Sequence, residues 1–351
     1  MVRLDDYLKT ISHWEARLTS VGVPKSSISS LVDRLEDWKQ WPHLWRELGD
    51  AECDYARAQE DAGHQVTAAD CWFRAGLYYH FGQFVLFDDE PLRAELNELK
   101  LPAFANAFPG MRPPAEHVTI PTDAGDVYGM FRHPPKKENA PLVIVLPGAD
   151  SGKEEYTGIE SLFLERGLST LSVDGPGQAE TRHRGTAWRF DYETAFPAVV
   201  AFARERTGTD AIGLMGFSFG GYLAPRVAAR CPEIQASVSL GGCYDLSYWP
   251  KVPPLIRDDI GYLIGAGSPE EAEELVRAHI SLENVLPEIQ GALLVVHSTE
   301  DRIFPDSDAW RMKERKPDAE VVIYEGGDHC CHNRSHHAKP LIADWLSDRL
   351  S

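Results

Sequence analysis

Ala211-Ile212-Gly213-Leu214-Met215-Gly216-Phe217-Ser218-Phe219-Gly220-Gly221-Tyr222 is the stretch whose reading decides the fold. An apolar run leads into Gly-x-Ser-x-Gly, and a helix-like stretch over 222–230 follows. Strand, sharp turn and helix, in that order, are the setting in which a serine is held out as a nucleophile. The turn is tight, and a side chain at either flanking glycine would meet the following helix or a neighbouring strand. Ser218 is therefore expected to project its hydroxyl from a strand end, with a helix N-terminus behind it. Gly-x-Ser-x-Gly without such flanks also occurs as an ordinary turn, so the weight lies in the context.

Outward from this motif the chain alternates. Apolar runs stand at 142–146, 168–173, 211–215, 236–240, 293–297 and 321–324, and two strands around a turn are expected at 118–121 and 127–131. Runs apolar on both faces suit strands covered by helices on each side. Helical stretches lie between them at 155–166, 192–206, 222–230 and 307–315. This alternation predicts an α/β fold with a mostly parallel, doubly wound sheet. Residues 248–286 interrupt it with Pro250, Pro253 and Pro254 and an acidic helical stretch over 269–278. An insertion at the C-terminal end of the sixth strand lies on the ligand-binding side of such a sheet, so it reads as part of a cap.

Before residue 115 no alternating strand is evident. Helices are expected over 4–18, 26–45, 51–61, 67–86 and 91–100. The fourth is rich in aromatics, with Trp72, Phe73, Tyr78, Tyr79, Phe81 and Phe84, and reads as buried against another surface. The Pro-rich stretch 108–114 marks a boundary. The expected organisation is a helical N-terminal cap domain, 1–115, and a catalytic domain, 116–351.

The chain has 351 residues and a formal charge of −19, which argues against a nucleic-acid partner. No uncharged run is long enough to cross a membrane. Met1-Val2-Arg3-Leu4-Asp5-Asp6-Tyr7 has early acids and no apolar core, so no secretory signal is expected. Six cysteines in so long a chain make no disulfide framework, and a cytoplasmic location is expected.

A serine nucleophile needs a base within hydrogen-bond reach, and the base needs an orienting acid. Asp301 stands just beyond the run at 293–297, with Glu300 as competitor. His329, in Gly326-Gly327-Asp328-His329-Cys330-Cys331-His332, follows the last strand and is the expected base. Asp328 reads as a loop or capping residue. Nearby His332, His336 and His337 could suggest metal, but no matching ligand cluster stands elsewhere, so no metal is expected. Two backbone N–H groups should hold developing negative charge. Phe219 supplies one, and the loop 147–151 the other, at Ala149 by position, with Asp150 as the alternative. Asp174-Gly175-Pro176-Gly177-Gln178 lies on the same rim and lacks the lysine of a phosphate-binding loop.

The whole order of motifs resembles one α/β-hydrolase family. It comprises the helical N-terminal segment, Trp72-Phe73-Arg74-Ala75-Gly76-Leu77-Tyr78-Tyr79-His80, Asp174-Gly175-Pro176-Gly177-Gln178, Gly-x-Ser-x-Gly-Gly, Gly241-Gly242-x-x-Asp245-Leu246-x-Tyr248-Trp249 and Gly327-Asp328-His329-Cys330-Cys331-His332. That family contains 2,6-dihydroxypseudooxynicotine hydrolase and the fungal polyketide-shortening hydrolases. The resemblance implies the α/β-hydrolase fold with a cap, a Ser218–Asp301–His329 triad and no cofactor. It further implies cleavage of a carbon–carbon bond beside a carbonyl in an aromatic or polyketide-like ketone of 1,3-dicarbonyl type, and a homodimer. If the N-terminal segment roofs the pocket as in that family, His80 and Tyr79, with Asp150 and Trp249, are the expected substrate-binding residues. Packing is the alternative for each aromatic. The likeness departs at Tyr248-Trp249-Pro250-Lys251, where the nicotine-pathway member carries an extra carboxylate, so the reaction class transfers and the substrate does not. Other readings of the same triad are an esterase, thioesterase or lactonase. A cyclase or lyase using His329 as base, or a ligand-binding protein without turnover, are the remaining alternatives.

Overall fold

The computed structural model describes residues 14–84, 86–135 and 137–351. The chain divides into two compact units, Met1–His117 and Val118–Ser351.

The first unit is helical among its described residues. The helix expected over 4–18 falls mostly outside them, though residues 14–20 are helical. The single helix expected over 26–45 is broken. One helix spans Lys25–Arg34 and the next Trp41–Asp61. Asp37, in an extended conformation, accepts from the Lys39 N–H, and Gln40 reaches back to the Asp37 N–H, so a capping box restarts the chain. Pro42 fits the first turn of the second helix, where its missing N–H costs nothing. That helix runs through Gly49, where two separate helices were expected. A Cβ at Gly49 would lie 2.6 Å from the Tyr79 ring, so the glycine lets helix Gln65–Phe81 approach closely. Trp41, Trp45, Tyr78 and Phe81 pack together, and the Trp41 Nε1–H donates to Phe81 O at 2.8 Å. Helix Glu90–Ala107 continues past Pro102 and the expected end at 100.

The second unit is built on an eight-stranded sheet in the order β1-β2-β4-β3-β5-β6-β7-β8. The strands are β1 Ala115–Thr122, β2 Gly125–Arg132, β3 Leu142–Leu146, β4 Ser169–Asp174, β5 Ile212–Phe217, β6 Ile234–Leu240, β7 Ala292–Ser298 and β8 Glu320–Tyr324. From β4 to β8 all pairs are parallel, and β2 runs antiparallel to β4. Every residue of β3, β4 and β5 is buried, which matches the apolar and small-residue composition of β3 and β5, while β4 also carries Ser169, Thr170, Ser172 and the carboxylate Asp174. The order reverses at β3, between β4 and β5, so a crevice opens at the carboxyl ends of β3 and β5. The insertion after β6 carries helices Pro254–Ile264 and Pro269–His279 and returns through a bridge between Asp245 and Ser281. Helices Ala179–His183 and Ser335–Leu350 were not legible in the sequence; the first is one turn long and the second contains Pro340 and adjacent histidines.

Candidate active site

Strand β5 ends at Phe217 and helix Phe219–Arg230 begins two residues later, leaving Ser218 alone at the corner. Its φ of 56° is in the left-handed region that a non-glycine residue rarely adopts. The strain is held by surrounding structure: the Ser218 N–H donates to Leu240 O at 2.9 Å. The flanking glycines are steric necessities. A Cβ at Gly216 would lie 1.9 Å from Gly220 O, and one at Gly220 would lie 2.4 Å from Pro147 O.

The acid and base arrive from the next strands. Beyond β7, the Asp301 Oδ1 accepts the N–H groups of Ile303 and Phe304 at 2.8 and 3.0 Å. Its Oδ2 accepts from His329 Nδ1 at 2.7 Å. His329 Nε2 stands 2.7 Å from Ser218 Oγ. In the neutral imidazole with Nδ1–H donating to Asp301, Nε2 carries no hydrogen and accepts from the serine hydroxyl. Glu300 is exposed, and only its backbone N–H engages the loop, at Gly327 O. Burial alone would raise the Asp301 pKa, but the adjacent His329 and the hydrogen bonds hold it below the usual value. Burial alone would lower His329; the Asp301 charge, aided by Cys330, overcomes it and raises His329 well above the usual value.

The loop after β8 is shaped to deliver His329. Asp328 and Asn333 exchange backbone N–H bonds with each other's side chains at 3.0 and 2.9 Å, and Ser298 Oγ donates to Asp328 O at 2.6 Å. Asp328 is thus a loop clamp. Cys330 and Cys331 both have φ of 53°, so the chain coils tightly behind the imidazole. Their thiols are buried against Leu240 O and His297 O. A Cβ on the facing Gly241 would lie 3.0 Å from Cys330 Sγ, so little room is left there.

The loop 147–151 lies beside the serine: a Cβ at Gly148 would come 3.3 Å from Ser218 Cβ. Ala149 and Asp150 are half-buried on this rim, and Ser151 Oγ donates to Asp150 Oδ1 at 3.4 Å. The Phe219 N–H opens the first turn of its helix, where backbone donors have no intrahelical acceptor.

Other expected residues sit differently. Tyr79 is 1% exposed, and its hydroxyl is taken by Asp50 Oδ1 at 2.7 Å and Cys53 Sγ at 3.4 Å. It joins two helices of the first unit, and packing is the role its surroundings describe. His80 lies edge-on to Phe84 and tilted against Phe81, at 5.5 and 5.2 Å between ring centres. Trp249 is 2% exposed within the apolar core of the second unit. Tyr79 and Trp249, expected to meet a substrate, are thus both buried, with the phenol and indole rings packed among core residues. Among the described residues no group of three or more His, Cys, Asp or Glu is arranged to hold a metal ion. No helix among them is long and apolar enough to cross a membrane.

Sequence reasoning passed over Gln178, Tyr156 and Lys153. Gln178 Nε2 donates to Pro147 O and Gly148 O at 2.9 and 3.1 Å, directly under the loop beside Ser218. Lys153 is fully buried against Glu154, Asp174 and Glu180. The motif 174–178, which the sequence places on the same rim, was the available signal for Gln178.

The profile of the alpha/beta hydrolase fold matches residues 141–279. 2,6-dihydropseudooxynicotine hydrolase of Paenarthrobacter nicotinovorans is 32% identical over 339 residues, covering 95% of this chain and 91% of that protein. The crystal structure of the 2,6-dihydroxy-pseudo-oxynicotine hydrolase superposes with a TM-score of 0.87 at 32% identity, covering 95% of each chain. The alpha/beta hydrolase ucsC of Acremonium sp is 31% identical over 238 residues, covering 60% of this chain and 48% of that protein.

Proposed function

This chain belongs to the α/β-hydrolase family, and from that premise we propose that it is a serine hydrolase that cleaves a carbon–carbon bond beside a carbonyl. The substrate class is an aromatic or polyketide-like ketone of 1,3-dicarbonyl type. The observation that carries the reading is the continuous hydrogen-bonded line from Ser218 Oγ through His329 to Asp301. The likeness to a hydrolase named for 2,6-dihydropseudooxynicotine, over nearly the whole chain, supports the ketone class.

In the proposed cycle His329 Nε2 takes the Ser218 proton as Oγ attacks the carbonyl carbon. The oxyanion that forms accepts from the Phe219 and Ala149 N–H groups. Asp301 holds the imidazole tautomer and stabilises the imidazolium. As the carbonyl re-forms, the carbon–carbon bond breaks. Its electron pair leaves as a carbanion delocalised into the second carbonyl or ring, and this takes the proton from His329. Water, deprotonated by His329, then attacks the acyl-enzyme and releases a carboxylic acid and Ser218. No cofactor enters any step.

We place the enzyme in the cytoplasm as a homodimer. All six cysteines are free and buried, which suits a reducing compartment. The dimer rests on the family resemblance, and sedimentation equilibrium of the full chain checks it.

The test is product formation from a matched aryl 1,3-diketone and aryl ester, with wild type and Ser218→Ala. Diketone cleavage that the substitution abolishes is the expected result. Ester cleavage alone, also abolished, would reduce the reading to a capped esterase. Diketone turnover undiminished in Ser218→Ala would point to His329 acting as base without the serine.

A further inference from the structure

Between β4 and helix Ala179–His183 lies Gln178, which is 1% exposed. All four of its hydrogen-bonding directions are used on neighbouring groups. Nε2 donates to Pro147 O at 2.9 Å and to Gly148 O at 3.1 Å. Oε1 accepts the Gly175 N–H at 3.0 Å and the Tyr192 hydroxyl at 2.8 Å. With Oε1 pinned by two donors, the amide cannot flip, and its NH₂ must face the loop after β3.

The consequence follows from peptide geometry. In a trans peptide the C=O of one residue and the N–H of the next lie in one plane and point in opposite directions. The only cis bond among the described residues is Arg112–Pro113, so the peptides at 147–149 are trans. Holding Pro147 O on the Gln178 side sends the Gly148 N–H the other way, where it donates to the Tyr156 hydroxyl at 3.2 Å. Tyr156 is itself fixed, its ring 4.6 Å from that of Phe217, the residue before the serine. Holding Gly148 O on the Gln178 side likewise sends the Ala149 N–H away from Gln178. Gly148 is the residue whose Cβ would meet Ser218 Cβ at 3.3 Å, so the loop that carries this N–H runs beside the nucleophile. The loop has proline and glycine at its start and no ladder bonds of its own, so its peptide planes depend on these outside groups.

We infer that Gln178, seconded by Tyr156, is the positioning residue of the oxyanion hole: it fixes the peptide plane that aims the Ala149 N–H. The inference rests on the serine-hydrolase reading above. Its physical basis is that a donor stabilises a transition state in proportion to how little it must reorganise when charge develops.

Gln178→Glu keeps an acceptor for Gly175 and Tyr192 but, when ionised, turns two donors into repulsion against the Pro147 and Gly148 carbonyls. Gln178→Met removes the polarity at similar volume. The probes are 4-nitrophenyl acetate turnover and inhibition by phenylboronic acid, which forms a tetrahedral adduct on the serine and mimics the oxyanion. We expect kcat to fall by about tenfold to a hundredfold, less than the ~10²–10³ that deleting a donor outright costs. Boronate affinity should fall by the same factor while KM holds. Measured against wild type at the same pH, the Gln178→Glu deficit should shrink as pH is lowered, because the protonated acid can donate again; the Gln178→Met deficit should not. Tyr156→Phe, which keeps the ring stack on Phe217 and releases the Gly148 N–H, should show a smaller parallel fall and serves if the Gln178 variants do not fold. Folded variants with wild-type kcat and boronate affinity would overturn the inference. So would a kcat loss that leaves boronate affinity unchanged. If the wild type neither turns over the ester nor binds boronate, the serine-hydrolase reading fails instead, and the two failures are distinct.

Discussion

Lys153→Met removes a buried cation that three carboxylates of the second unit share. Lys153 Nζ lies 2.7 Å from Glu154 Oε1, 2.7 Å from Glu180 Oε2 and 3.1 Å from Asp174 Oδ2, and all four side chains are almost fully buried. Burial by itself would lower the lysine pKa, but the three carboxylates outweigh it and hold the ammonium well above its usual value. Arg184 reaches Glu180 Oε1 from the surface and is too exposed to replace it. Methionine fills the same tunnel without charge. Removing one partner of a buried ionic cluster costs about 3–5 kcal/mol, because the remaining charges are left uncompensated. For a unit of this size about 2–4 °C is lost per kcal/mol, so the transition should drop by roughly 6–20 °C. The assay is calorimetric unfolding of the full chain at about pH 8 and again at about pH 5.5. In the variant the buried carboxylates gain raised pKa values, the folded state binds more protons than the unfolded, and the deficit should shrink on acidification. A deficit below about 1 kcal/mol, within the range of ordinary exposed pairs, would refute the reasoning. So would a deficit that does not respond to pH.

The remaining predictions concern the site and its surroundings. Gly220→Ala drives a Cβ to 2.4 and 2.5 Å from the Pro147 and Leu146 carbonyl oxygens, so denaturant unfolding should show a loss of about 1–3 kcal/mol, with turnover reduced further. Because Asp301 holds His329 above 6.5 and only the neutral imidazole is a base, kcat should rise with pH through a midpoint above 6.5. Asp301→Asn should move that midpoint down and cut kcat by about 10⁴. The same shift makes His329 contribute stability that is full below about 6.5 and lost as pH rises through its folded pKa. Asp308 is the opposite kind of carboxyl. Burial pushes it up to about 6, although Tyr248 Oη and the Tyr244 N–H both donate to it. Its stabilising contribution is full below about 3.9 and lost as pH rises through about 6. Asp308→Asn should therefore unfold at higher urea than wild type at pH 8, with the gain gone near pH 4; equal midpoints at both pH values would contradict this.

The sheet was legible because its signal is local. Each of β1 to β8 coincides, within a residue or a few, with an apolar run or an alternating pair visible in the sequence, and the elbow glycines announce a steric requirement of adjacent residues. The helical unit was less legible. Periodicity alone ran 26–45 together and split 45 from 51. The break depends on the Asp37–Gln40 capping box, and the continuity depends on Gly49 facing Tyr79, thirty residues further along.

By itself the sequence determined an α/β fold, a serine at the corner after β5, and an acid and a histidine in the order and loops that could reach it. Local steric and hydrophobic patterns suffice for that. Only the tertiary structure decided between Asp301 and Glu300, since the choice is which carboxylate meets an imidazole 28 residues away. It alone decided that Tyr79 and Trp249 are packed inside, that Lys153 is buried among carboxylates, and that Gln178 hydrogen-bonds the loop beside Ser218 from 30 residues off. Hydrogen-bond partnership and burial are properties of neighbours in space. Residues brought together across five different loops, after β3, β4, β5, β7 and β8, leave no periodic trace in the chain.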